Sequence, residues 1–365
     1  MNELKVVLPP YGFLIRDLMV SGLYTIAVNS LGDVGLAGDY MVIKYPSEYA
    51  LINGVESVTK RLSSSNNVNI DKLLNRFSKN YGSQLKTLRD LLNDIQYVVR
   101  ELKEYSKACN SSMDVITGCG MSSVVNQFPL LLPESMESIR WYGGWSGNRK
   151  IMPKVILPTI VGYLALIGLS YFTLSSAQNL LLIAPIDSTI KMSSLFWAKS
   201  MKIPWLISVN QRQIKIVELP HLTRLFLLSL VLNGDRYHRV IVLSIGNRVE
   251  IIEDNPQSSI SYLMSFASNL SSDTALKIML LMSEWFINEL RNELGDREQA
   301  ISDVKYVLTQ ISDNVYKALS GVLSPEEAVY MIARETYMRH PTYGKVINDH
   351  LLKELRVSIR ATLLG

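Results

Sequence analysis

No charged side chain interrupts positions 155–186, which read VILPTIVGYLALIGLSYFTLSSAQNLLLIAPI. A membrane-spanning helix needs about 20 apolar residues, so the length of this stretch alone would allow one. Two prolines and a central polar patch, however, divide it into Val155–Leu174 and Leu180–Ile183. We predict a fully buried helix followed by a buried strand. The alternative is a membrane-associated protein anchored through the apolar segment 155–183.

Strand patterns lie on both sides of this stretch. A short strand is predicted at Leu4–Leu8, where two prolines end the apolar run. A hairpin is predicted at 240–252, because Gly246 and Asn247 form a favoured two-residue turn between two β-branched runs. The alternating residues of Gln213–Val217 predict a further strand.

Three glycines at three-residue spacing, Gly32, Gly35 and Gly38, lie within the segment 11–45. This spacing differs from that of the dinucleotide-binding fingerprint, and no clear helix follows it. We interpret the segment as a glycine-rich loop between strands.

Helical patterns occupy two other regions. Apolar residues recur every three or four positions over about 70–107, which predicts a helical insertion with one narrow apolar stripe. It forms either a long arm or a helical hairpin on the body of the protein. A short apolar helix is predicted at Leu222–Leu232.

The end of the chain has the pattern of a bundle of four or five helices. Ser324, Pro325 and Glu327 form a specific helix start, with an N-cap, a proline in the first turn and a capping-box glutamate. The predicted helices cover 273–294, 298–320, a segment from 325 onward, and 343–363. The fold class is therefore α+β: a mixed domain at 1–257 with the helical insertion, followed by a C-terminal helical bundle at 258–365.

The composition describes a globular chain, with 48% hydrophobic and 19% charged residues. Its mean hydropathy of +0.14 indicates extensive contact with partners, or one segment in a membrane. Cys109 and Cys119 fit no metal-binding spacing, which favours a reducing compartment. Residues 1–5 lack the features of a signal peptide. We therefore expect a cytoplasmic protein, and no membrane contact.

Positive charge is concentrated in the middle third of the chain. Residues 140–254 contain thirteen Lys or Arg and six Asp or Glu, a surplus of seven positive charges, whereas both flanking regions are slightly acidic. Clustered cations attract phosphate-bearing ligands. This region is therefore where we expect contact with a polyanion.

The segment 140–150, RWYGGWSGNRK, combines aromatic, glycine and basic residues. Aromatic faces stack on bases, glycines allow close backbone approach, and cations contact phosphates. An asparagine at its end can read a base edge. The alternative is a loop whose tryptophans anchor it to the core. The predicted nucleic-acid-binding residues here are Arg140, Trp141, Trp145, Asn148, Arg149 and Lys150.

Two further basic clusters are present. Arg212, Lys215, Arg236 and Arg239 form the first, and ordinary charge at strand edges and loops is the alternative interpretation. The second lies on the last predicted helix, where lysine and arginine at 353, 356 and 360 fall on one face. Such a face either lies along a nucleic-acid backbone or is simply solvated.

The motifs of common enzymes are missing from the sequence, including the P-loop, HExxH, GxSxG and paired CxxC patterns. The four histidines, at 221, 238, 340 and 350, lie on separate predicted elements. We expect no metal, no cofactor and no enzymatic activity. An active site assembled from distant residues remains an open alternative.

The order of these parts resembles a known family. A short strand region, a long helical insertion, a Trp/Gly/basic loop before a charge-free core segment, hairpins and a C-terminal bundle are similar to the large subunit of the archaeal type I-A CRISPR surveillance complex (Cascade), of the Csa type. The resemblance covers most of the chain in layout and includes no short diagnostic motif.

This resemblance implies a non-catalytic subunit of a complex that contains CRISPR RNA. Such a subunit recognises the protospacer-adjacent motif in target double-stranded DNA, assists duplex opening and helps to recruit a separate helicase-nuclease effector. Its partners would be the other RNA-containing Cascade subunits, with the helical C-terminal domain beside the small subunits. The loop around Asn148, Arg149 and Lys150 would contact DNA.

Overall fold

The computed structural model describes residues 2–10, 13–64, 93–126, 156–175, 179–185, 214–232, 237–245, 249–256 and 261–364. The chain forms two compact units. The first comprises the described residues of Met1–Trp197 and Tyr237–Asp254, and the second those of Ala198–Arg236 and Asn255–Gly365. The architecture is α+β with a helical C-terminal region, as predicted.

The first unit contains helices and three small sheets. The strand orders are β1-β3-β2, β4-β5 and β6-β7-β8-β9. Its helices are α1 (Leu14–Asn29), α2 (Glu48–Ser64), α3 (Ile95–Ala108), α4 (Ser112–Ile116) and α5 (Thr159–Phe172). Its strands are β1 (Asn2–Val7), β2 (Asp33–Ala37), β3 (Tyr40–Tyr45), β4 (Val124–Asn126), β5 (Ile156–Pro158), β6 (Thr173–Ser175), β7 (Asn179–Pro185), β8 (Tyr237–Ile245) and β9 (Val249–Pro256, within the unit up to Asp254).

Helices α1 and α5 form the centre of this unit and touch backbone to backbone. A Cβ atom added at Gly22 would lie 2.1 Å from the carbonyl oxygen of Leu164, and one at Gly168 would lie 2.1 Å from that of Leu18. Every residue of α1 from Leu14 to Ala27 is buried. The glycines therefore permit an approach that no larger residue allows.

Buried polar side chains connect the surrounding elements to this core. Arg16 of α1 donates to the carbonyl of Pro9 at 2.6 Å and to that of Gly38 at 2.5 Å. The hydroxyl of Tyr105 on α3 donates to the carbonyl of Val7 at 2.6 Å. These bonds satisfy buried backbone acceptors, so they fix the end of β1 and the turn between β2 and β3.

The two cysteines form a disulfide. Cys109 follows α3, Cys119 lies in a turn after α4, and their Cα atoms are 5.0 Å apart. Gly118, Cys119 and Gly120 all have positive φ angles. The pairing differs from the expectation of reduced thiols, because a tight turn that sequence spacing does not reveal brings the two residues together.

Several strand and helix predictions for this unit are confirmed. The strand at Leu4–Leu8 is β1, and the strands of the 240–252 hairpin are β8 and β9. The predicted buried strand is β7. The buried helix predicted at Val155–Leu174 is α5, but it is shorter than predicted, because β5 and β6 occupy the two ends of that range. Within the described parts of the chain, no helix combines the length and the apolar character needed to cross a membrane. The insertion predicted at 70–107 is helical at Ile95–Ala108, and its earlier part, up to residue 92, lies outside the described residues.

The interpretation of 11–45 as a loop is wrong for most of that segment. Helix α1 occupies Leu14–Asn29, and β2 and β3 follow it. The helix was missed because it is buried on every side: its polar residues Arg16, Asp17, Ser21 and Thr25 are buried together with the apolar ones, so it lacks the solvent-facing polar side of an amphipathic helix. Only Gly38, with φ of 56°, lies in a turn between strands.

The second unit is helical in its described residues. It includes α6 (His221–Val231), which packs on α7 and α10; the Phe226 and Phe266 rings stack with centroids 6.1 Å apart. A domain boundary at 257 stays a prediction. The other helices are α7 (Ser261–Asn269), α8 (Ser272–Leu280), α9 (Glu284–Leu294), α10 (Arg297–Leu319), α11 (Pro325–Tyr337) and α12 (Asp349–Leu364), with 3-10 turns at Ile216–Glu218 and Pro341–Lys345.

The helix starts and stops of this unit follow local chemistry. Ser324 and Glu327 form the predicted capping box, and Gly295 ends α9 in the left-handed conformation. The single helix predicted at 273–294 is wrong, because Ser283 caps a new helix, α9. The helix predicted at 343–363 begins only at Asp349, after a 3-10 turn.

The strand predicted at Gln213–Val217 is also wrong for its described part. Ile216–Glu218 forms a 3-10 turn, closed by a bond from the Glu218 amide to the Lys215 carbonyl. Ile216 and Val217 are both buried, so the apparent alternation of apolar and polar residues does not continue. Pro220 then leads directly into α6.

Candidate nucleic-acid interface

Most of the predicted nucleic-acid-binding residues lie outside the described residues and stay predictions. These are Arg140, Trp141, Trp145, Asn148, Arg149, Lys150, Arg212 and Arg236. Two others lie on described elements. Arg239 is on β8, paired in register with Ala184 of β7, and Lys215 precedes the 3-10 turn at Ile216–Glu218. Lys215 and Arg239 belong to different units.

Lys215 has a local partner for its charge. Its Nζ atom lies 3.6 Å from Oε1 of Glu218, and both side chains are partly exposed. Surface pairs of this kind contribute little stability, about 0–1 kcal/mol. The nearby carboxylate nevertheless reduces the local positive potential, so Lys215 is a weaker phosphate contact than its sequence suggested.

Strands β4 and β5 position both ends of the segment 127–155, which contains the aromatic and basic residues. The two strands are antiparallel, with Asn126 opposite Ile156 and Val124 opposite Pro158. Asn126 and Ile156, the last and first described residues on either side of 127–155, are therefore neighbours in the ladder.

The ends of this two-stranded ladder are held by neighbouring elements. The amide of Thr159 donates to the carbonyl of Ser123 at 3.0 Å, and the Ser123 hydroxyl donates to that of Thr159 at 2.9 Å. Gly118 packs against Ile156 so closely that an added Cβ would lie 3.0 Å from its Cγ2 atom. The disulfide at Cys119 fixes the same turn to the end of α3.

A buried carboxylate lies beside this ladder. Glu101 of α3 is only 4% exposed, and burial raises the pKa of its carboxyl, while hydrogen bonds with Tyr97 and Ser123 act in the opposite direction. Its Oε2 atom has no hydrogen-bond partner among the described residues. The side chain therefore retains the capacity to accept a further donor near the segment's base.

The second unit contains a cluster of polar side chains around Asp303. The hydroxyl of Tyr343 donates to Oδ2 of Asp303 at 2.9 Å, and Nε of Arg339 donates to Oδ1. The Arg339 guanidinium also lies 4.0 Å from the centre of the Tyr306 ring. Burial, followed by the charge of Asp303, raises the pKa of Tyr343. The cluster ties the turn after α11 to α10.

The described residues hold no group of three or more His, Cys, Asp and Glu side chains that could bind a metal ion. His340 lies 3.8 Å from Asp303 and 3.9 Å from Glu293, within the same cluster. Its surroundings are those of a surface polar network that orders a turn.

Sequence reasoning passed over an exposed aromatic and basic face on α11. Tyr330 is 65% exposed, Arg334 has a side chain 52% exposed, and Tyr337 is 37% exposed. The spacing of these residues, four and then three positions apart, places them on one side of a helix. That spacing is visible in the sequence once the helix start at Ser324 is fixed.

Comparison with known proteins gives one informative similarity. No family model matches the chain. The chain is similar to a protein of Saccharolobus solfataricus that is provisionally named as CRISPR-associated. The two are 27% identical over 342 residues, which cover 92% of this chain and 89% of the relative.

Proposed function

We propose that this protein is the non-catalytic large subunit of a type I-A CRISPR RNA-guided surveillance complex. In this role it recognises the protospacer-adjacent motif in target double-stranded DNA and assists opening of the duplex. The similarity to a CRISPR-associated relative over nearly the whole length of both chains carries the proposal. Its partners are the RNA-containing subunits of the complex and a helicase-nuclease effector, in the cytoplasm.

The charge distribution supports nucleic-acid contact in the first unit. The surplus of seven positive charges falls at 140–254, and the segment 127–155 starts and ends at the β4–β5 ladder. In the proposed complex Arg149 and Lys150 contact phosphates, Trp141 and Trp145 stack on exposed bases, and Asn148 reads a base edge. The proposed role includes no catalytic step by this protein.

Purification of the tagged protein from its own host tests the complex directly. Sequencing of the co-purified RNA and identification of the bound proteins should give short RNAs with repeat-derived ends and several CRISPR-associated proteins. A protein that co-purifies with no RNA and no such partner contradicts the proposal.

A duplex-binding measurement tests the assigned residues. The double substitution R149A/K150A should reduce the slope of log affinity against log salt by about 2, since each lost phosphate contact removes roughly 0.9. The control K60A/R100A removes two charges from α2 and α3 and should leave the slope unchanged. Equal slopes in both variants would remove Arg149 and Lys150 from the interface.

A further inference from the structure

Helices α11 and α12 run antiparallel, with their outer faces side by side. Arg360, near the end of α12, donates a hydrogen bond to Glu326 at the start of α11. At the opposite end, burial and then the charge of nearby Asp349 raise the pKa of Tyr337. The Arg360–Glu326 hydrogen bond, together with the electrostatic interaction between Tyr337 and Asp349, therefore indicates the register of the pair.

This register places aromatic and basic residues at the same level. Both helices rise about 1.5 Å per residue, so four residues forward from Glu326 on α11 correspond to four residues back from Arg360 on α12. Tyr330 is thus level with Arg356, and Arg334 is level with Leu352, one residue before Lys353. On α12, Asp349, Lys353, Arg356 and Arg360 fall on one stripe, and Arg360 of that stripe bonds to Glu326 of α11.

The middle of this surface carries positive charge with little compensation. In the described parts of the chain, no ion pair joins Lys353 or Arg356 to a carboxylate, and Nε of Arg356 has no hydrogen-bond partner. Arg334 lies 3.9 Å from Glu335, which also accepts a bond from the Tyr306 hydroxyl at 3.0 Å. Three neighbouring cations repel one another, and a bound polyanion would relieve that repulsion.

The aromatic residues of the surface are held in place but remain accessible. Tyr330 projects from the middle of α11 with most of its surface exposed. The ring of Tyr337 packs on Gly344, where an added Cβ would lie 3.1 Å from Cε1. Gly344 belongs to the 3-10 turn that Asp303 fixes through Tyr343. The platform is therefore ordered before a ligand arrives, which lowers the entropic cost of binding.

We infer that this α11–α12 face, defined by Tyr330, Arg334, Tyr337, Lys353 and Arg356, binds single-stranded nucleic acid. The cations contact the phosphates, and the two tyrosines stack on bases. The inference rests on the proposed function. It deepens that function, because it makes the second unit the part of the protein that binds the single strands of an opened duplex. A duplex fits less well, since its bases are already stacked and offer no faces to Tyr330.

An acidic protein segment fits this face less well than a nucleic acid. The cores of protein interfaces are depleted in lysine, whereas Lys353 lies at the centre of this surface. The exposed tyrosines are also separated by cations and do not form one continuous apolar patch. Alternating cations and aromatic rings are the arrangement that single-strand-binding proteins use.

Fluorescence anisotropy of labelled oligo-dT with the full chain tests the inference. Y330A should weaken binding at least about fivefold, whereas Y330F, which keeps the ring, should stay within about twofold of the parent. R334A/K353A should lower the slope of log affinity against log salt by about 1.4, roughly 0.7 for each phosphate contact. The matched control Y316A/K317A removes an exposed tyrosine and a lysine from α10 and should behave like the parent.

Unchanged oligo-dT affinity in both Y330A and R334A/K353A would overturn the inference, as would equal losses in the Y316A/K317A control. Loss of a bound acidic protein with unchanged oligo-dT affinity would assign the face to a protein and also overturn it. Purification of the tagged protein from its host distinguishes a failure of this inference from a failure of the proposed function. Normal oligo-dT binding with no CRISPR RNA recovered would refute the proposed function and leave this face assigned.

Discussion

Helices α1 and α5 of the first unit and helices α11 and α12 of the second are stabilised in different ways. The first pair is buried on nearly every described side and relies on glycine for direct backbone contact. The second pair is amphipathic, begins with defined caps and keeps one face in solvent. The comparison teaches that the first pair serves as a rigid core, while the second is free to present side chains to a ligand.

The strongest test of this comparison is a substitution that adds a methyl group at the contact between α1 and α5. G22A would place Cβ 2.1 Å from the Leu164 carbonyl oxygen, so the helices must separate. We expect a loss of about 3 kcal/mol or more in the free energy of unfolding, measured by urea titration. G344A is the control in the second unit, because its Cβ would meet only a side chain, that of Tyr337. A G22A protein as stable as the parent would show that backbone contact does not hold the core.

The disulfide is a second difference between the two units. Among the described residues, only the first unit contains such a cross-link. It joins cysteines ten residues apart, and a loop of that length predicts a loss of about 2–3 kcal/mol when the link is removed. C109S/C119S should therefore melt at a lower temperature than the parent under oxidising conditions. Reductant should lower the melting temperature of the parent and leave that of the double variant unchanged. Equal melting temperatures without reductant would contradict a stabilising role.

In the second unit, we expect the N-terminal cap of α11 to contribute to stability. S324A removes the hydroxyl that accepts from the Glu327 amide and should cost about 1 kcal/mol of unfolding free energy. S302A, at an exposed position inside α10, is the matched control and should be close to neutral. If S302A and S324A lower the urea midpoint equally, the capping box does not stabilise α11.

The smallest expected effect concerns Glu101 in the first unit. Burial raises the pKa of this carboxyl in the folded state, so between the unfolded and folded pKa values the folded protein binds more protons. Its contribution to stability therefore falls as pH rises through that interval. E101Q should reduce the fall in urea midpoint between acidic and neutral pH, with E3Q at an exposed position of β1 as the control. An identical pH profile in the parent and E101Q would show that the carboxyl is not destabilised by burial.

Local signals in the sequence predicted much of the fold. Ser324 and Glu327 fixed the start of α11, and Gly295 fixed the end of α9, because caps act through neighbouring backbone groups. The charge-free stretch identified the buried α5 and β7. The missed features depend on tertiary contact: the polar residues of α1 are buried along with its apolar ones, and the Cys109–Cys119 pair needs a turn with three positive φ angles.

The candidate nucleic-acid surfaces were predictable to different degrees. Residues 140–150 stand out by composition alone, and their role remains a prediction. The basic stripe of α12 was also recognised in the sequence, but the sequence did not show that it forms one surface with residues of α11. The reason is that Tyr330 and Arg334 come from a different helix. Only the Glu326–Arg360 hydrogen bond and the electrostatic interaction between Tyr337 and Asp349 place them beside Lys353 and Arg356.

The β4–β5 ladder has an evolutionary consequence. Since Asn126 and Ile156 are fastened side by side, the entropy of closing the intervening chain grows only with the logarithm of its length, about 0.6 kcal/mol for each doubling. Insertions and deletions between these two strands are therefore cheap for the first unit. The ladder therefore tolerates changes in the length of the chain between its two strands with little loss of stability.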